Sequence, residues 1–516
     1  ALGTWVERGG LLIGFATQGL GDLFGVRIEE ELPQPEDPFS LVATLRYTDT
    51  ELARPLLPPG EEDTPLPVAA PVFLLRAGPD CRELARLVSL AGRDLRRPAI
   101  TLRAVGQGET LYFAFDVAHA VWALHHGRPI RDDYDGDGYY RVSDAMILRP
   151  FPTDLPYADL LLFLLREVIA RRGLPFVHAL PPLPETGAIP DALFHWGGDE
   201  EGAPNQTPAS DFMRALGLPY HLNLMPDAEG RFALSREEFA QFKRNGHELS
   251  LHFNFISGHE HPYAFTRQDL QQQVHWYMAA FGEKPIATVF HWTLWHGWSE
   301  PAEWLAGLGL LADNSRFHRY SPPLNPLNAV GFGFGTSYPF HYHCDWRKEN
   351  ERLRFLGIPV TAYECGYGRD REALDTGPLQ RAIDLAKRWH LTMNLFYHSV
   401  CIVGFPQCRA AIQWGLEYMA QCGLSPLHMG QDELTHWWLA RSDSRVAEVQ
   451  RTAEGLTCEV TTTWPAGCIL QLRWSGESAS ATVEGEARPC VIRAEGAGRW
   501  LYVSLPEGKQ RVTIRG

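Results

Sequence analysis

"DALFHWGGDEEGAPNQTPASDF", residues 191–212, decides how the middle of the chain is read. An apolar run ending at Trp196 enters a Gly-Gly pair and emerges as Asp199-Glu200-Glu201, followed by Pro, Asn and a helix start. A short apolar run bounded by turn residues reads as a buried strand. The carboxylates at its end are either a solvated loop or part of a site. Residues 219–440 repeat the pattern: "YHLNLM", "HELSLHFNF", "IATVFHW", "LLADNS", "GIPVTAYE" and "LTMNLFYHS" read as further strands. Helix-like segments separate them. In "TRQDLQQQVHWYMAAFG", Leu270, Val274, Tyr277, Met278 and Phe281 fall on one face at helical spacing. About seven such repeats over residues 191–440 predict a distorted (β/α) barrel, in which functional residues collect at the C-terminal strand ends.

Working outward, "HALPPLPETGAIP", residues 178–190, holds four prolines and reads as a linker. Residues 1–177 alternate strand-like and helix-like pieces, among them "GGLLIGFAT", "PVFLLRAG" and "YADLLLFLLREVIARRG", which suggests a Rossmann-like α/β domain. The opening, "ALGTWVERGGLLIGF", reads as the middle of such a domain, so further βα units are expected upstream of Ala1. The phrases "VERGGLLIGF" and "AVGQGETLYFAFDVAHAVW" resemble the class I glutamine-amidotransferase-like domain. Cys81, in "RAGPDCREL", lacks the flanking glycines of a nucleophile elbow, so the domain reads as non-catalytic. From residue 445 to 516 the pattern turns to polar–apolar alternation between Gly and Pro turns, which predicts an antiparallel β-sandwich.

Composition narrows the function classes. A formal charge of −15 argues against nucleic acid or an anionic membrane as partner, since both call for basic patches. No apolar run approaches the ~20 residues of a bilayer span. Nine cysteines without a CxxC pair indicate neither a zinc ribbon nor a dense disulfide framework. The 16 Trp, 17 Tyr and 26 Phe suit sugar-stacking surfaces as well as large cores. No targeting segment is visible, and an extracytoplasmic location is only slightly favoured.

Polar residues recur at the strand ends: Asp199 and Glu200 after the first, His252 and Asn254 after the third, His291 after the fourth, His398 after the last. Carboxylate and imidazole together are the usual ligands of a catalytic zinc with an open water position. "GHELSLHFN" and "LFYHS", with the acidic cluster, resemble the polysaccharide deacetylase (NodB-like) superfamily. That resemblance covers roughly residues 190–440. It implies His252 as a metal-binding histidine and His398 as general acid. It also implies one divalent metal, zinc before others, with Asp199 as ligand and Glu200 as base, or these two roles exchanged. The family's second metal histidine falls at Ile256, so the third ligand is His291, or else His259 or His261. The family's Arg in the third motif has no counterpart in "TVFHWTLWHGW". Trp196, Trp292 and Trp295 lie beside these motifs as a candidate sugar platform. The implied activity is removal of an N- or O-acetyl group from a carbohydrate. The alternatives are a non-catalytic carbohydrate-binding protein on the same scaffold, or a glycoside hydrolase pairing Glu200 with Glu364.

Overall fold

A computed structural model describes every residue except 36, 150, 201–204, 257–264, 320–326, 346–348, 369, 453–454 and 497. Its centre is an 11-stranded sheet. We number the strands that build the site β1 (Ala192–Asp199), β2 (His221–Leu224), β3 (Glu248–Phe253), β4 (Ala287–Phe290), β5 (Ala312–Asp313), β6 (Arg352–Gly357), β7 (Ala362–Tyr363), β8 (Thr392–Phe396) and β9 (Pro426–Met429). They run parallel in the order β7-β8-β1-β2-β3-β4-β5-β6, and β9 pairs with the first half of β1. Every residue of β1, β2, β4 and β8 is buried. Both faces are enclosed, one by helices and the other by the curl, which suits strands of mostly apolar residues.

The sheet curls strongly, yet it is not a closed barrel. The chain itself spans the seam between β6 and β7. Ile358 and Val360 N–H donate to Asp313 O and Arg316 O on one side (2.8 and 2.7 Å), and Thr361 N–H donates to Asn394 O on the other (3.4 Å). Among the described residues no ladder joins β6 to β7. The expected "GIPVTAYE" strand is thus a stave that changes neighbours halfway, which breaks its pattern.

Helix α1 (Arg267–Phe281) follows β3, opened by a Thr266–Asp269 capping box and ended by Gly282 in the left-handed region. Leu270, Val274, Tyr277 and Phe281 face the core as their spacing predicts, but Met278 is exposed. Gln273 is buried in its place. Its amide clamps the main chain just past β3, accepting from Asn254 N–H (2.9 Å) and donating to Asn254 O (2.6 Å).

The N-terminal layer corrects the Rossmann-like expectation. Its six-stranded sheet has one parallel pair, Leu11–Phe15 with Gly108–Phe113; the other pairs are antiparallel. The reason lies in the turns. Val105 pairs with Gly108 across a two-residue loop in which Gly106 has φ +61°, and a parallel crossover needs a dozen residues or more. Cys81 opens a strand, and its thiol lies 3.2 Å from Gly25 O. Burial pushes that thiol up, away from nucleophilic use.

The C-terminal residues form two antiparallel sheets of five and four strands. Leu456, Val460 and Ile514 of one share a hydrophobic cluster with Leu470, Leu501 and Val503 of the other. Gly455–Thr462 alternates in burial at every step, as period-two patterning requires. Phe176–Val177, from before the proline-rich segment, adds the edge strand of the four-stranded sheet. All nine cysteines are free thiols. No helix among the described residues is long and apolar enough to cross a membrane.

Candidate active site

Adjacent parallel strands end on one rim, so residues far apart in sequence become neighbours there. Asp199 ends β1, opposite Asn223 at β2. His252 lies one residue from the end of β3, opposite Val289 of β4. His291 follows β4, Glu364 follows β7 and His398 follows β8. Gly198 lets β1 deliver Asp199 to this rim. A Cβ there would stand 2.0 Å from Tyr397 O and 2.2 Å from Tyr220 Oη, so only glycine fits.

Asp199 occupies the middle. Its Oδ1 accepts a hydrogen bond from Asn223 Nδ2 (2.9 Å), and its Oδ2 faces His252 Nε2 at 3.6 Å and His398 Nε2 at 4.0 Å. His252 is fully buried, and its ring stands perpendicular to that of His291 with centroids 5.1 Å apart. Burial, and then the His291 and His398 rings, hold the His252 pKa well below the ordinary imidazole value. It is therefore a neutral ring at neutral pH, the form that ligates a metal.

His398 is oriented by Glu364. Glu364 Oε1 accepts from His398 Nδ1 (2.8 Å) and from the His398 main-chain N–H (2.7 Å), and Tyr367 donates its hydroxyl to Oε2. Burial and the Glu364 charge raise the Tyr367 pKa, so the phenol stays a donor. A carboxylate at Nδ1 fixes the proton there and turns Nε2 toward Asp199. These commitments leave Glu364 buried with both carboxylate oxygens hydrogen-bonded. The strand-end "TAYE" marks Glu364 in the sequence, but its service to His398 appears only when β7 and β8 pair.

Glu200 is buried beside Asp199, with its N–H bonded to Asn223 O (2.8 Å) and its Oε2 3.4 Å from Met225 N–H. His259, His261 and Glu201 lie outside the described residues. The tryptophans separate. Trp196 is buried with its indole N–H on His428 Nδ1 (3.1 Å), and Trp295 is buried with its N–H on Trp298 O (2.8 Å). Both rings belong to the core and are closed to a sugar. Trp292 is 41% exposed and lines the site. Asn314, which the strand-end pattern did not single out, lines it too. The cavity these residues line measures about 100 Å³.

Asp199 and His252 turn one carboxylate oxygen and one neutral imidazole nitrogen toward each other, a partial donor set for a divalent cation; among the described residues no third His, Cys, Asp or Glu ligand atom lies within 4.8 Å of both. The 3.6 Å between Asp199 Oδ2 and His252 Nε2 exceeds a hydrogen bond and is close to the ~3.3 Å edge of a tetrahedron with 2.0–2.1 Å bonds.

The sequence matches no family model and no curated protein. Among solved structures, similarity extends over the whole chain to a carbohydrate deacetylase, Agd3, at 12% identity, 86% coverage of that chain and a TM-score of 0.36. It covers 46% of this chain and 89% of the catalytic domain of a peptidoglycan N-acetylglucosamine deacetylase from Eubacterium rectale, at 10% identity and a TM-score of 0.26. A cold-adapted β-galactosidase from Rahnella sp. R3 matches 22% of this chain at 16% identity and a TM-score of 0.17, and the match spans 17% of that enzyme's length. Carbohydrate deacetylases thus stand among its structural neighbours, while the functional reading rests on the rim of the curled sheet itself.

Proposed function

We propose that the chain is a metal-dependent hydrolase that removes an N- or O-acetyl group from a carbohydrate. The observation that carries this is the Glu364–His398–Asp199–His252 line across one rim, with His398 Nδ1 tied to Glu364 and Nε2 turned inward. Asp199 and His252 would hold the cation with His291 as third ligand, His259 or His261 being the alternatives. Zinc suits a mixed carboxylate–imidazole set. When bound, zinc at such a site polarises a carbonyl and lowers the pKa of water toward about 7.

The chain's own groups supply the rest. Glu200, buried next to the ligand carboxylate, accepts the proton of the attacking water. His398 carries the proton for the leaving amine or alcohol on Nε2, and Glu364 stabilises the imidazolium that this requires. Asn223 holds Asp199 so that Oδ2, not Oδ1, faces the histidines. Trp292 offers the exposed aromatic face against which a sugar ring packs at the mouth.

The test is release of acetate from N- and O-acetylated oligosaccharides by the full chain, measured beside its metal content. Acetate released in proportion to bound metal supports the reading. Saturable sugar binding without acetate release would replace it with a carbohydrate-binding protein.

A further inference from the structure

The N-terminal layer sends residues 130–145 to the mouth of the site. Ile130 bridges to Gly297 and Arg141 to Leu294, and Arg141 Nε donates to Trp292 O at 2.9 Å. The Tyr139 ring meets Trp292 edge to face at 5.0 Å. Inside this segment the sequence reads "DYDGDGYYRVSD", residues 133–144. Asp133, Asp135 and Asp137 occupy positions 1, 3 and 5 of a twelve-residue run, Gly138 the sixth and Asp144 the twelfth. That is the register of a calcium loop, in which position 7, here Tyr139, contributes its main-chain carbonyl. Carboxylate oxygens of Asp133, Asp135 and Asp137 converge within 4.8 Å of one another.

Asp144 supplies a separate observation. It is completely buried near Asp135 and Asp133, though not within the 4.8 Å cluster, and its oxygens meet only the neutral N–H groups of Tyr134 (2.9 Å) and Arg141 (3.0 Å). Among the described residues no Lys, Arg or His pairs with it. The Arg141 guanidinium pairs instead with Asp137 of the same loop (2.8 Å) and with Trp292 O. The fold thus buries a carboxyl group near two acidic neighbours with no cationic partner of its own among the described residues, an arrangement that a bound cation stabilises.

We propose that residues 133–144 bind one Ca²⁺ through Asp133, Asp135, Asp137, the Tyr139 carbonyl and Asp144. The site is separate from the Asp199–His252 pair and does not depend on the deacetylase reading. An Asp at position 12 is one methylene shorter than the usual Glu, and Arg141 stands at position 9. Both place the affinity toward the weak end, on the order of 10⁻⁵ to 10⁻³ M.

The test is titration of the EDTA-treated full chain with Tb³⁺, whose luminescence is sensitised by nearby aromatic rings such as Tyr134 and Tyr139, followed by displacement with Ca²⁺. The expected result is saturation at one equivalent and displacement by Ca²⁺ but not by equal Mg²⁺. The signal should be lost in Asp135→Ala and kept in His252→Ala. Calorimetric titration of the unaltered chain with Ca²⁺ alone covers the case in which Asp135→Ala does not fold. No saturable signal with either ion up to ~10⁻³ M, or one that survives Asp135→Ala or disappears in His252→Ala, overturns the proposal.

Discussion

Asp199 and Glu200 are adjacent carboxylates with different surroundings, and they should fail differently. Asp199→Asn replaces the oxygen facing His252 and His398 with an amide, a poor ligand for a hard cation, so metal and activity should fall together. Glu200→Gln should keep the metal and lose about 10²–10⁴-fold in turnover, the scale of general-base catalysis. Glu364→Gln leaves the fold's hydrogen bonds nearly intact but weakens support for a protonated His398. It should retain metal and lose kcat, most severely on amide substrates, whose leaving amine needs the proton most. Metal analysis beside steady-state kinetics separates all three. At this scale the sequence marks Asp199, His252, His291 and His398 as strand-end residues, and the fold has them at the ends of strands on one rim, while their roles stand as proposals. Glu364's partnership with His398 was not legible, because it is made across a β7–β8 pairing, and neither was the burial of Trp196 and Trp295. An aromatic beside a motif carries no sign of which way its strand or loop turns it.

Among elements, β1 depends on its glycine pair. Gly198→Ala would drive a Cβ into Tyr397 O, so β1 must shift from β8 or the chain must lose stability. The expected cost is at least about 1–3 kcal/mol, as for overpacking, with loss of activity at temperatures where the fold persists. Urea denaturation alongside the activity assay checks both. The 291–298 loop has a different support, because the N-terminal segment holds it through Arg141 Nε and Trp292 O. Arg141→Ala should raise KM for an oligosaccharide more than it lowers kcat, since it loosens the platform and not the rim. The parallel strands were legible because buried apolar runs and long crossovers repeat together. The N-terminal sheet was misread because its hairpin turns, such as Gly106-Gln107, are brief signals between strands that also look like βα strands. The seam strand was blurred for a related reason: it pairs with β5 first and with β8 afterwards, so neither half has a full strand's pattern.

Across the whole molecule, specific contacts join the N-terminal layer to the central unit. Arg381 forks onto Glu61 (2.9 and 3.1 Å), and Asp159 accepts from Ser337 N–H (3.1 Å) beneath the central sheet. Burial raises Asp159 to about 7, against an unfolded value of 3.8. A raised carboxyl costs nothing below the unfolded pKa, and its cost grows as pH rises through that window and is complete above about 7. Asp159→Asn should therefore change stability little at pH 4 and stabilise at pH 8, by roughly 1–3 kcal/mol after hydrogen-bond adjustment. Urea midpoints at the two pH values decide it. The central claim, that the rim of the curled sheet performs metal-dependent deacetylation, is tested most directly by one assay: acetate release from N-acetylated oligosaccharide by chelator-stripped protein, before and after one equivalent of Zn²⁺, in parallel with His252→Ala. Activity should return with zinc in the unaltered chain and stay absent in His252→Ala. Equal acetate release by stripped, reloaded and His252→Ala protein would contradict the claim.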